Sequence, residues 1–180
     1  MSIDYSDPAI PGWMFDNELQ FLYNISQWMT SIVEVGSWKG KSTHALLSGC
    51  KGTVWTIDHF LGTPSSRDTI HKEATETSIK DIFLNNVGHF PNLKLLDMSS
   101  EEAVKLFNDH SIDMIFLDGD HVYEAIKKDI EIWFPKTIKV ICGHDYNAGV
   151  KQAVDEAFKA NNIITNAVMG TIWAYWLANP

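Results

Sequence analysis

Residues 33–43, Val-Glu-Val-Gly-Ser-Trp-Lys-Gly-Lys-Ser-Thr, constrain the fold of this chain more than any other stretch. Ser31, Ile32, Val33 and Val35 form a short apolar strand that closes on an acid, Glu34, and a glycine, Gly36. A second glycine follows at Gly40, and Ser42-Thr43-His44-Ala45-Leu46-Leu47 read as the opening of a helix. Strand, glycine loop and helix make the first unit of a nucleotide-binding α/β fold. Gly36 permits the sharp turn, and Gly40 permits a ligand or strand to approach the helix. The start of that helix offers unpaired N–H groups to an anion.

The rest of the chain repeats the alternation. Asp16 reads as the N-cap of an amphipathic helix carrying Phe15, Leu19, Phe21, Leu22, Ile25 and Trp28. Further strands are predicted at 53–58, 93–98, 112–118 and 138–142, with a loop at 59–67. Helices are predicted at about 68–86, from a Ser99/Glu102 capping box, at 121–133 and at 149–160. Two β-rich runs, 163–168 and 172–177, close the chain with only Met169-Gly170-Thr171 between them, so they form a hairpin. The expected fold class is α/β: a doubly wound, Rossmann-like, seven-stranded sheet. It is mostly parallel with an antiparallel last strand, and helices cover both faces.

At 180 residues and 45% hydrophobic composition, one domain spanning 1–180 with a sizeable core is expected. The net charge of −9 disfavours a nucleic-acid or anionic-membrane partner. Cys50 and Cys142 sit among apolar neighbours, as thiols do in a reducing compartment. No signal peptide or bilayer-length apolar run is visible, so a cytoplasmic location is expected.

Acids stand at four consecutive strand ends: Glu34, Asp58, Asp97 and Asp118. Ligands of open α/β sheets bind outside the carboxyl ends of the strands. Asp58 at the second strand suits a ribose diol, its structural alternative being a turn or cap residue. Asp118-Gly119-Asp120-His121 and Gly143-His144-Asp145-Tyr146 leave adjacent strands at the same rim. Two carboxylates with an imidazole within a turn of each suit a divalent cation.

This order of elements, with Glu34-x-Gly36-x-x-x-Gly40, resembles a class I S-adenosylmethionine-dependent methyltransferase. The Glu-Val-Gly-Ser and Asp-Gly-Asp-His motifs are most similar to the metal-dependent sugar O-methyltransferases and, more distantly, to catechol O-methyltransferase. The resemblance implies S-adenosylmethionine held by Glu34, Gly36, Ser37, Gly40, Ser42, Asp58, Asp97, Met98, Ser99 and Asp118. Within that set, Asp97, Met98 and Ser99 fall where relatives hold the adenine. Ser42 falls where they hold the methionine carboxylate. For Ser42 and Ser99, helix capping competes with these roles. Asp118 and Asp145 fall on metal-ligand positions, and His144 stands where relatives often carry a further carboxylate. That exchange leaves Mg2+, Mn2+ and no metal all open. His121 matches the general base, and beside a helix start and a cation its neutral form is expected. The implied reaction methylates a hydroxyl on a sugar- or phenol-like small molecule, with a second copy of the chain allowed as a contributor to specificity.

Competing readings are a nicotinamide-dependent oxidoreductase, which also uses a glycine loop, a dinuclear metallophosphoesterase and a non-catalytic cofactor-binding module. Trp13 and Trp38 are candidates to flank the pocket, whereas Lys127, Lys128, Asp129 and Glu131 read as a solvated helix face.

Overall fold

The computed structural model describes residues 5–62, 69–159 and 167–177. The strands are β1 (Ser31–Val35), β2 (Thr53–Ile57), β3 (Leu93–Leu96), β4 (Ile112–Leu117), β5 (Thr137–Gly143), β6 (Ala167–Met169) and β7 (Ile172–Trp176). They form one seven-stranded sheet in the order β3-β2-β1-β4-β5-β7-β6. β1 to β5 are mutually parallel, and β7 runs antiparallel to both β5 and β6. The short Met169–Thr171 connection pairs β6 and β7 as a hairpin at Gly170, and the sheet order seats the last strand between β5 and β6.

The helices are α1 (Asp16–Ser26), α2 (Lys41–Gly49), α3 (Thr69–Glu76), α4 (Ile79–Val87), α5 (Ser100–Ala103), α6 (Tyr123–Trp133) and α7 (Ala148–Lys159). Period-2 alternation in the strands divides the core between the two faces of the sheet. Ile32, Val54, Met114, Phe116 and Val140 pack with Leu19, Leu22, Ile25, Leu46 and Phe83 from α1, α2 and α4. Val33, Val35, Ile57, Ile115 and Ile141 pack with Ile126, Ile130, Trp133, Val154 and Phe158 from α6 and α7. All six residues of β4 are buried, as befits the central strand. Each such aliphatic or aromatic side chain contributes about 1.5–3 kcal/mol on leaving water, which makes the sheet a firm platform for what lies at its edge.

Several local expectations are corrected. Asp16 is the first helical residue of α1, and Phe15 is the N-cap. The backbone N–H of Phe15 is taken by Glu18 Oε2 at 2.9 Å, so the capping acid sits two residues later than the sequence suggested. The helix expected over 68–86 is two helices. Ser78 interrupts it by capping α4, its hydroxyl accepting from the Asp81 N–H at 3.3 Å. α6 starts at Tyr123 with Val122 as N-cap, which leaves His121 in the loop before it. Parts of the expected loop and of the penultimate strand, 63–67 and 163–166, lie outside the described residues.

Candidate active site

The parallel ladders run one residue past the strand ends, and that aligns the candidate groups at one rim. Gly36 N donates to Ile57 O at 2.9 Å, Asp118 N to Val35 O at 2.8 Å, Asp58 N to Leu96 O at 3.3 Å and His144 N to Leu117 O at 3.1 Å. The order β2-β1-β4 reverses chain direction across the sheet between β1 and β4, the switch point at which open α/β sheets leave a crevice. There Gly36 has φ +84°, and a Cβ on it would stand 2.3 Å from the Asp118 carbonyl oxygen, so only glycine passes. A cavity of about 1280 Å³ opens at this rim. Gly36, Ser37, Ser42, Asp58, Met98, Ser99, Asp118, His121, His144 and Asp145 all line it, together with Trp13 and Trp38.

Asp58 organises the glycine loop. Its Oδ2 accepts from the N–H groups of Ser37 and Trp38, each at 2.9 Å, and its Oδ1 accepts from Phe60 N at 2.7 Å. Trp38 holds a positive φ of 48°, a strained conformation that Asp58 helps to fix. The turn-capping alternative is thus realised, and the carboxylate retains accepting capacity on Oδ1.

Three other candidates do not reach the cavity. Glu34 is fully buried beneath the loop and accepts from Ser42 Oγ and Thr43 Oγ1, each at 2.6 Å, and from Thr56 Oγ1 at 3.2 Å. Burial raises its pKa to about 7 against those three hydrogen bonds. Its work is to tie β1 to α2 and β2, and Ser42 is neither cap nor free hydroxyl. Gly40 (φ +91°) is the N-cap of α2, and a Cβ there would press on Val87 and Phe83 at 3.2–3.3 Å. It serves helix packing. Asp97 turns away to Lys80, 2.7 Å distant. Ser99 does cap α5, in the expected capping box with Glu102.

At the β4–β5 side, carboxylates and imidazoles interleave. His121 Nε2 lies 3.3 Å from Asp118 Oδ1, and its Nδ1 lies 3.2 Å from Asp145 Oδ2. His144 Nδ1 is 3.5 Å from Asp118 Oδ1 and 3.7 Å from Asp145 Oδ1, while its Nε2 meets Glu18 Oε2 at 3.1 Å. The hydrogen bond to Asp118 raises the His121 pKa, burial opposes, and the Asp118 and Asp145 charges add. These contacts draw His121 toward its charged form, opposite to the neutral imidazole expected beside a cation. Burial would lower His144, but the bond to Asp118 and the charges of Asp118, Asp145 and Glu18 lift it to about 9. Asp118, which burial would raise, is instead held low by His121 and His144.

A protein-family profile described as a methyltransferase domain matches residues 33–146, which run from β1 through the whole rim to Tyr146. The chain belongs to this methyltransferase family. Among solved structures it is similar to the O-methyltransferase NovP, at 18% identity and TM-score 0.66, covering 91% of this chain and 80% of that one. It is likewise similar to an O-methyltransferase from Bacillus cereus in complex with SAH, at 16% identity and TM-score 0.63, covering 92% and 83%. An SAH-bound methyltransferase from Podospora anserina matches at 16% identity and TM-score 0.60, covering 91% and 80%. At these identities the likeness establishes the shared fold. No curated protein matches the chain.

The methyltransferase cavity suits a nucleoside cofactor: it is large enough, Asp58 has a free acceptor site, and the space over Gly119 is open, a Cβ there meeting only Val35 and Asp129 at 3.7 and 3.9 Å. For a divalent ion the donor chemistry also fits. Glu18 engages Nε2 of His144 and leaves Nδ1 facing two carboxylates, as when a ligating histidine gives its other ring N–H to a carboxylate. Among the described residues no three such side chains form a ready-made cation site.

Two buried acids beside the cavity groups escaped the sequence. Glu18 is wholly buried and also accepts from Thr171 N at 2.7 Å and Thr171 Oγ1 at 3.1 Å. Its one signal was an acid next to Leu19 on the apolar side of α1. Asp129, expected on a solvated face, is buried and lines the cavity.

Proposed function

We propose that this methyltransferase uses S-adenosylmethionine to methylate a hydroxyl of a small, sugar- or phenol-like acceptor. The observation that carries the reading is the placement of His121 between Asp118 and Asp145, in the same cavity that Asp58 and the glycine loop line. S-adenosylmethionine supplies a methyl already activated on sulfur, and Mg2+ or Mn2+ held by Asp118, His144 and Asp145 would supply a Lewis acid that lowers the acceptor's pKa.

The chain has three tasks in this reaction. Asp58 and the backbone of Gly36–Trp38 bind and orient the nucleoside. Trp13 and Trp38, with ring centroids 6.3 Å apart, wall the mouth of the cavity and limit water. His121, when neutral, takes the hydroxyl proton on a ring nitrogen as the oxygen accepts the methyl. An acceptor reaches that nitrogen by displacing one carboxylate contact, and the remaining carboxylate then stabilises the imidazolium. Imidazole at His144 favours Mn2+ over Mg2+ if an ion is bound.

The acidic charge supports a small-molecule partner over nucleic acid or an anionic membrane. No helix among the described residues is long and apolar enough to cross a membrane. The buried free thiols Cys50 and Cys142 support a cytoplasmic location. Acceptor specificity from a second copy of the chain is part of the reading.

Calorimetry with S-adenosylhomocysteine and with NADH, followed by methyl transfer from labelled S-adenosylmethionine to panels of sugars and phenols, tests it. Binding of S-adenosylhomocysteine and label on an oxygen are expected. Binding of NADH alone would turn the assignment to an oxidoreductase.

A further inference from the structure

We propose that Asp129 recognises the exocyclic amino group of the cofactor's adenine through Oδ2. The inference rests on the S-adenosylmethionine reading above and names the residue that reads the base.

The sheet order places the end of β3 and the end of β5 on opposite sides of the rim. The His121 cluster occupies the β5 side, so a nucleoside held at Asp58, beyond β2, extends its base toward Met98 and Ser99 after β3. The acid native to that strand end, Asp97, does not serve the base: its side chain is 44% exposed, paired with Lys80 and outside the cavity lining. Asp129 reaches the same place from α6. It is 9% exposed and bound through Oδ1 to Ser100 Oγ at 2.5 Å, the residue after Ser99.

Hydrogen-bond directions leave one acceptor free. Trp133 Nε1 donates to Ser100 Oγ at 2.8 Å, so the Ser100 hydroxyl proton goes to Asp129 Oδ1. Oδ2 points toward the open space over Gly119. Oδ2 thus faces the cavity, and a ligand that brings an N–H into that space gains a hydrogen bond to a charged acceptor. Adenine fits: it is flat, its amino group carries two donors, and the Met98 thioether suits its face. Burial raises the Asp129 pKa to about 6 against the Ser100 bond, with Glu101 and Asp120 adding, so at pH 7.5 the group is ionised and accepts only.

If Asp129 served only to anchor Ser100 and Trp133, the ligand's amino group would be irrelevant to it. Calorimetry at pH 7.5 with S-adenosylhomocysteine and S-inosylhomocysteine, which carries a carbonyl in place of the amino group, separates the two roles. The wild-type protein should prefer the adenine ligand by about 10- to 100-fold, the range of a hydrogen bond to a charged group. In Asp129→Asn, the amide oxygen stays with Ser100 and the NH2 faces the base, so the preference should vanish or invert. Asp97→Ala should keep the wild-type ratio. Equal wild-type affinities, or an unchanged ratio in Asp129→Asn, overturn the proposal while leaving the cofactor reading intact. Equal wild-type affinities overturn it even if the variant does not fold. Binding of neither ligand by the wild-type protein overturns the cofactor reading, and the assignment of Asp129 with it.

Discussion

Glu18 Oε2 lies 3.1 Å from His144 Nε2 across 126 residues of sequence, both side chains almost without solvent contact. This pair joins the start of α1 to the end of β5 and aims His144 Nδ1 at Asp118 and Asp145. Thr171 in the β6–β7 hairpin bonds to the same carboxylate, so one acid ties three distant segments to the site.

Removing that acid strands a buried imidazolium and three backbone or hydroxyl donors. Glu18→Ala should lower unfolding free energy by about 3–5 kcal/mol, read from urea denaturation. Glu18→Gln should be milder and should lower the His144 pKa as followed by NMR. An unchanged His144 titration in Glu18→Gln would show that the two groups do not interact in solution.

Stability should fall as pH rises from about 6.5 to about 9. His144 binds its proton more tightly when folded, with a pKa raised to about 9, so its contribution is complete below the ordinary histidine value of 6.5 and is lost on approaching 9. Glu34, raised to about 7, acts with the same sign in a lower window, between the ordinary carboxylate value of 4.5 and 7. Asp118, held low, acts oppositely: its contribution is present above 3.8 and is lost as pH falls through its folded pKa. Melting temperatures across pH 6.5–9.5 should decline for the wild-type protein and stay flatter for His144→Gln. A flat wild-type profile would contradict the assigned charge.

His121→Ala should reduce turnover about 10²- to 10⁴-fold while S-adenosylhomocysteine affinity stays within a few-fold. Because the His121 pKa is raised, wild-type turnover should climb with pH through a midpoint above 6.5. Near-normal turnover of the alanine variant on an identified acceptor would return His121 to a loop residue.

Asp58→Ala should weaken S-adenosylhomocysteine binding and also lower the melting temperature without ligand. Its carboxylate holds the Ser37, Trp38 and Phe60 N–H groups that shape the loop. Calorimetry and thermal melts report the two effects separately. A loss of affinity with no loss of ligand-free stability would mean that the loop holds its shape unaided.

Mn2+ affinity, measured by electron paramagnetic resonance, should rise between about pH 6.5 and 9, because a ligating Nδ1 must first lose its proton. Asp145→Asn should weaken Mn2+ more than it weakens S-adenosylhomocysteine. Absence of Mn2+ binding at pH 9 would remove the ion from the reaction.

The sheet and the location of the site were legible in the sequence because they rest on short-range regularities. Short apolar runs at Ile32–Val35 and Ile112–Leu117, the glycines at 36 and 40, and the brief Met169–Thr171 turn specify strands, a loop and a reversed last strand from their neighbours alone. Acids placed one residue beyond parallel strands then arrive at one rim without further information, as Asp58 and Asp118 do. Which acids face the cavity was decided only by tertiary structure. Glu34 and Asp97 looked equivalent to Asp58 and Asp118, but Ser42, Thr43 and Thr56 enclose the first, and Lys80 draws the second outward. Asp129 read as a helix-surface acid, and Glu18 carried no signal, until α1 and α6 packed on the sheet and closed solvent off from both. The same holds for the charge of His121 and His144, since burial and carboxylates from three separate segments set it. Pairings between charges distant in sequence leave no periodic trace, so only the folded chain reveals them.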